Sequence, residues 1–193
     1  MPTSSGRVRT VRNAALLLAL LLAATVATAN QDFRVLTARP RLLDDTWVLD
    51  ARIDYAFSPP VLEALDHGVP LTLLVQIQVR RQGAWVWEDS LADLRLRYRI
   101  RYQPLSATYV VVRLPSDSGR VYLTRETAIA ALGDLENLPL LERQRLDPDA
   151  RYEVHLRALL DIEELPLPLR PTAYLHPSWK QASEWTKWPL AQP

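Results

Sequence analysis

Apolar and polar residues alternate with a period of two in four stretches of the chain, a rhythm that predicts strands with one buried and one wet face. Trp47, Leu49, Ala51, Ile53, Tyr55 and Phe57 share one parity, with Asp50, Arg52 and Asp54 on the other. Leu71, Leu73, Val75, Ile77 and Val79 repeat the pattern against Thr72, Gln76, Gln78 and Arg80. Leu94, Leu96, Tyr98, Ile100 and Tyr102 alternate with Arg95, Arg97, Arg99 and Arg101, and Tyr152, Val154, Leu156 and Ala158 with Arg151, Glu153, His155 and Arg157. Weaker strand signals cover residues 33–39, 84–88, 109–114 and 120–123, with Ser116-Asp117-Ser118-Gly119 as a hairpin turn. Strands with one solvated face belong to antiparallel sheets, because parallel sheets are covered on both sides.

Two short helices interrupt the strands. The first is expected between Ser58, whose hydroxyl suits an N-cap, and Gly68, which suits a left-handed terminator, with Pro59 in the first turn. The second is expected from Thr124 to Gly133, with Glu126 in its first turn and Ala128, Ile129 and Leu132 as its apolar side. From Leu165 the prolines at 166, 168, 171 and 177 favour an extended, polyproline-like tail. The pattern predicts a mainly β fold: an antiparallel β-sandwich, immunoglobulin-like or half-open barrel, with two short helices and a proline-rich C-terminal tail over 165–193. The alternative is an α+β arrangement.

The N-terminus breaks the rhythm. Arg7, Arg9 and Arg12 precede an apolar run that starts at Ala14, and Ala27-Thr28-Ala29 follows it, the layout of a secretory signal peptide. Residues 14–29 make only 16 uncharged positions, where a spanning helix takes about 20 apolar ones. Cleavage after Ala29 is therefore expected, with export to the periplasm by the general secretory route; retention as an inner-membrane anchor is the alternative. Residues 30–193 then form a single domain. The whole chain has 23 Lys and Arg against 22 Asp and Glu, but three of the cations and no acids lie in residues 1–29. What remains carries 20 against 22, a formal charge of −2, which gives no support for nucleic-acid binding. The chain has no cysteine, so an oxidising compartment makes no demand on it.

Candidate chemistry is sparse. The arginines at 95, 97, 99 and 101 emerge from one strand face about 6.7 Å apart, a ladder suited either to an anionic partner or to cross-strand pairing with Asp50, Asp54, Glu153 and Asp93. Trp85 and Trp87 share a face beside the Gln82-Gly83 tip, while Trp179, Trp185 and Trp188 crowd the tail. They serve either as interface aromatics or as core volume that pins the tail, in a chain with only two phenylalanines. There is no Gly-x-Ser-x-Gly elbow, phosphate loop or His-Glu-x-x-His helix, and the three histidines are scattered. Asp44-Asp45, Glu88-Asp89 and Glu163-Glu164 are adjacent pairs that point to opposite faces on a strand, unlike a catalytic dyad. No catalytic, cofactor or metal residue is nominated.

Leu49-Asp50-Ala51 leading to Phe57-Ser58-Pro59, Ala64-Leu65, and Gly68-Val69-Pro70-Leu71 recur here in a specific order with Trp87, Arg97-Tyr98-Arg99 and Trp185-x-x-Trp188-Pro189-Leu190. In these the chain resembles domain of unknown function 4390, a family of exported proteobacterial proteins. The resemblance covers almost all of residues 30–193 and implies no reaction, cofactor or ligand. It implies a context near a membrane sensor kinase of the nitrogen-regulation type. The expected function is a non-enzymatic periplasmic binding or interaction module, accessory to an envelope or sensor-kinase system, with an envelope protein or membrane-associated partner. A carrier of a small apolar or amphipathic ligand is the second reading, and an envelope enzyme without a recognised site is the third.

Overall fold

The computed structural model describes residues 33–85, 90–116 and 118–190. Nine strands form two antiparallel sheets. One has three strands in the order β1 (Arg34–Leu43), β2 (Thr46–Asp54), β7 (Asp134–Glu142). The other has six, in the order β6 (Gly119–Tyr122), β5 (Thr108–Leu114), β4 (Ala92–Gln103), β3 (Leu71–Arg81), β8 (Tyr152–Leu160), β9 (Thr186–Leu190). The four strongly alternating stretches became β2, β3, β4 and β8.

Alternation places the core. Leu71, Leu73, Val75, Ile77 and Val79 of β3 are fully buried, and Val154, Leu156 and Ala158 of β8 lie beside them in register. Leu49, Ala51 and Ile53 of β2 join the same apolar cluster, so the two sheets share one core. Phe33, Tyr55 and Phe57 close one part of it, with Phe33 edge-on to the other two rings at 4.8 and 5.2 Å. Burying each such large side chain contributes about 1.5–3 kcal/mol.

Helix α1 (Pro59–Asp66) buries Val61 and Leu65, and Gly68 ends it at φ +83, as its lack of a Cβ allows. Ser58 does not cap it through its side chain. Its hydroxyl donates instead to the Ser178 carbonyl at 2.7 Å, while its N–H donates to Gln181 Oε1, tying the helix start to the tail. Helix α2 (Arg125–Gly133) is capped by Thr124, whose hydroxyl accepts from the Thr127 N–H. Gly133 is its last residue for a steric reason: a Cβ there would collide with the Ile53 carbonyl oxygen.

Several elements depart from the sequence expectation. β1 runs on to Leu43 and makes a hairpin with β2, because Asp44 and Asp45 both take positive φ, as a two-residue hairpin turn with native twist requires. β7 was not predicted at all. Its register shifts against β2 and the positive φ of Asn137 break the period of two, and Pro139 is tolerated because β7 is an edge strand. Residues 84–85 form no strand, and the rest of the predicted 84–88 strand lies almost wholly outside the described residues.

The tail is not extended. It makes 3-10 turns at Ile162–Glu164, Leu167–Leu169 and Pro177–Trp179 and the short helix α3 (Arg170–Leu175), before pairing with β8 as β9. Prolines occupy the first positions of the last two turns and of α3, where a missing N–H costs no helical hydrogen bond. Among the described residues no helix is long and apolar enough to cross a membrane.

Candidate functional site: the arginine row of β4

Arg95, Arg97, Arg99 and Arg101 share the face of the six-stranded sheet that points away from the core, because Leu94, Leu96, Tyr98 and Ile100 take the other. Register sets their neighbours. On β3, Arg95 faces Gln76, Arg97 faces Leu74 and Arg99 faces Thr72. On β5, Arg97, Arg99 and Arg101 face Leu114, Val112 and Val110. Among the described residues no carboxylate is registered directly across from any of the four.

The cross-strand pairing expected with Asp50, Asp54 and Glu153 is corrected by this topology. Asp50 and Asp54 belong to the other sheet, where they accept from Arg41 at 2.8 Å and Arg34 at 3.0 Å. Glu153 lies two strands away on β8, 2.6 Å from His155 Nε2. Asp93 does approach Arg95, at 3.8 Å along the same strand. The carboxylate that serves the row is Glu164, from the 3-10 turn after β8, which reaches Arg97 and Arg99 at 3.5 Å each. Arg99 also donates to Thr72 Oγ1 at 3.4 Å. Arg101 is exposed and forms no ion pair among the described residues. Glu164 could not be assigned from the sequence, because nothing there marks the 3-10 turn at Ile162–Glu164 that follows β8 and brings this side chain over the sheet.

The tryptophans divide. Trp179 is buried, and Trp188 is half-buried against the core. Trp85 is 64% exposed, its carbonyl accepting from Arg80, and Trp185 is 39% exposed. Trp87 lies outside the described residues. The four described ones therefore divide between core and surface, and Trp47 supplies further core volume.

A second feature was missed. Arg113 and Arg120 line a cleft of about 440 Å³ with Tyr98 and Tyr122 on one side and residues 134–138 of β7 on the other. Burial raises the Tyr98 phenol above its usual range, and the Arg113 guanidinium partly offsets this. Tyr55, its neighbour in the core, is raised much further by burial, and its hydroxyl has no hydrogen-bond partner among the described residues. The hairpin turn at 116–119 was a usable signal, since it places Arg113 and Arg120 on the same face of two paired strands. Without β7, nothing in the sequence said that this face borders a cleft.

The histidines and acids stay dispersed. His67 Nδ1 contacts the Glu63 carbonyl at 2.7 Å, and His155 pairs with Glu153. Among the described residues no group of three or more His, Cys, Asp or Glu is placed to hold a metal ion.

A family model described as Domain of unknown function (DUF4390) matches residues 30–189, and the chain belongs to that family. No curated protein and no solved structure matches it.

Proposed function

We propose that this member of the family is an exported, non-enzymatic binding module that works in the periplasm as an accessory to an envelope or sensor-kinase system. Its docking surface is the outer face of β4, and its partner an envelope protein or membrane-associated protein with an acidic surface. The carrying observation is the placement of the four arginines: they face threonine, glutamine and aliphatic side chains, and two of them share one glutamate at 3.5 Å. Like charges in a row repel one another, so the row carries a cost that pairing does not offset and that an anionic partner would remove. The valines and leucine on β5 give the same surface an apolar flank, as interface cores have.

The carrier reading gains less support. The clefts of about 630 and 440 Å³ are both bordered by charged side chains, among them Asp149, Arg151 and Lys187 in the larger and Arg113, Arg120 and Glu136 in the smaller. Such walls suit polar occupants rather than an apolar cargo.

The test compares the protein with an Arg97→Glu, Arg99→Glu form as baits on envelope extract from its own cells. Loss of a recovered protein from the double variant is expected. Equal recovery by both baits removes the β4 face from consideration.

A further inference from the structure

Among the described residues the three-stranded sheet ends at β7 and the six-stranded sheet at β6, and neither strand has a hydrogen-bonded neighbour on its far side. The 440 Å³ cleft lies between these two edges, bordered by both. An unpaired edge is a row of backbone N–H and C=O groups that can template another strand, and folded proteins ordinarily cover it, charge it or shorten it. β6 has only the four residues Gly119–Tyr122, all of whose registered pairing is to β5.

Charge adds direction to the gap. Arg120 stands opposite Val111, which places it diagonal to Arg113 on the same face. Neither arginine forms an ion pair among the described residues, and both are exposed toward the cleft they line. The acids on the opposite wall do not balance them: Asp134 is already held by Arg52 at 3.0 and 3.4 Å, which leaves Glu136 alone against two guanidinium groups. On the other face of β6, Val121 is 62% exposed.

We propose that the cleft receives an extended acidic segment of a partner polypeptide, which adds as a strand to the β6 edge and sets a carboxylate against Arg113 and Arg120. Backbone pairing with β6 supplies the affinity of such strand addition, and the side chains at alternate positions supply the choice of partner. On the cleft side those positions are acidic. On the opposite face they are apolar, to lie beside Val121. Arg113 and Arg120 lie on the opposite sheet face from the β4 row, so the site does not rest on that reading, although Val121 stands beside Val110 at the edge of the β4 face.

The probe is a capped peptide of alternating Val and Glu, seven residues long, offered to the purified full-length protein and followed by hydrogen exchange. Severalfold slower exchange in the fragment that contains residues 119–122 is expected. A Val-Lys peptide of the same length should give no protection, and a Val-Glu peptide N-methylated at alternate positions should lose it. Replacing the exposed pair, Arg113→Gln with Arg120→Gln, should weaken binding by roughly tenfold or more, since two charge-assisted contacts are removed. Circular dichroism of that variant verifies its fold.

Absence of protection at saturating peptide overturns the proposal, as does equal protection by the Val-Lys peptide. A β6 fragment already protected without peptide, in a protein that sediments as a dimer, assigns the edge to a second copy instead. Displacement of the peptide by inorganic phosphate at equal concentration assigns the arginines to a small anion. The Arg97→Glu, Arg99→Glu form should keep the peptide response, so failure at either surface is read independently of the other.

Discussion

The two sheets treat their arginines differently. In the three-stranded sheet three of the four arginines have their own carboxylate on a neighbouring strand: Arg34 with Asp54, Arg41 with Asp50, and Arg52 with Asp134, at 2.8–3.0 Å, while Arg39 forms no ion pair among the described residues. In the six-stranded sheet β4 carries four arginines whose cross-strand neighbours have no charge, and the nearest acids lie at 3.5–3.8 Å. Cross-strand pairs are where a sheet gains from charge, at about 0.2–1 kcal/mol each. Asp50 shows the structural use at its fullest: it accepts from Arg41 on β1 and from the Asn137 N–H on β7, so one carboxylate joins all three strands. In the β4 row Glu164 reaches two arginines and Asp93 a third, all at longer distances and none from a paired strand.

The largest effect should come from the core that both sheets share. Ile77→Ala empties a fully buried position on the central strand and should cost about 2–5 kcal/mol in urea unfolding, with both sheets lost together in one transition. Two separate transitions would show that the sheets do not depend on one core. Gly133→Ala should follow, at about 1–3 kcal/mol, because the added Cβ meets the Ile53 carbonyl and pushes α2 off β2.

Asp50→Asn should cost about 1 kcal/mol, a figure limited by the partial exposure of the pair. Its pH dependence is signed. The hydrogen bond from Arg41, then that from the Asn137 amide, holds the Asp50 carboxyl below its ordinary value of 3.8. The unfolded chain therefore binds this proton more readily, and the contribution is complete above about pH 4. It is lost as pH falls through the lowered folded value. Urea midpoints at pH 5 and pH 2.5 should converge for the parent and Asp50→Asn at the lower pH; an unchanged gap would mean that the charge of Asp50 contributes nothing.

Tyr109→Phe should have a smaller effect, about 0.5–1 kcal/mol, through loss of the 2.9 Å bond from its hydroxyl to Asp66. Partial withdrawal from water, then that hydrogen bond, pushes the Tyr109 phenol up to about 12. An ultraviolet pH titration should show one tyrosine fewer ionising near the top of the alkaline range in the Phe variant. An identical titration would mean that Tyr109 ionises with the ordinary phenols.

The sequence made the strands with strict alternation legible, because in β2, β3, β4 and β8 one parity is wholly committed to the core. Position 133 was legible as a helix end but not for its reason, which is contact with a strand 80 residues earlier. β7 was hidden, since bulges and Pro139 erase the period by which strands are recognised. The arginine row was visible as a row, while its neighbours were not. Pairing depends on strand order, and Asp50 and Arg97 have compatible parity in the sequence yet sit in different sheets. The cleft at β6 was least accessible of all, because it lies between consecutive strands that join different sheets, one of which shows no period of two.

As a docking surface, the β4 arginines are not there to hold the fold. The direct measurement is urea unfolding of two variants beside the parent: one with Arg95, Arg97, Arg99 and Arg101 all replaced by Gln, the other with Arg34, Arg41 and Arg52 replaced by Gln. The second should be measurably less stable than the parent as its cross-strand pairs disappear. The first should match the parent within about 0.5 kcal/mol or exceed it, because repulsion along β4 is relieved. If the β4 variant is instead the less stable of the two, its arginines are structural and the docking surface they form is contradicted.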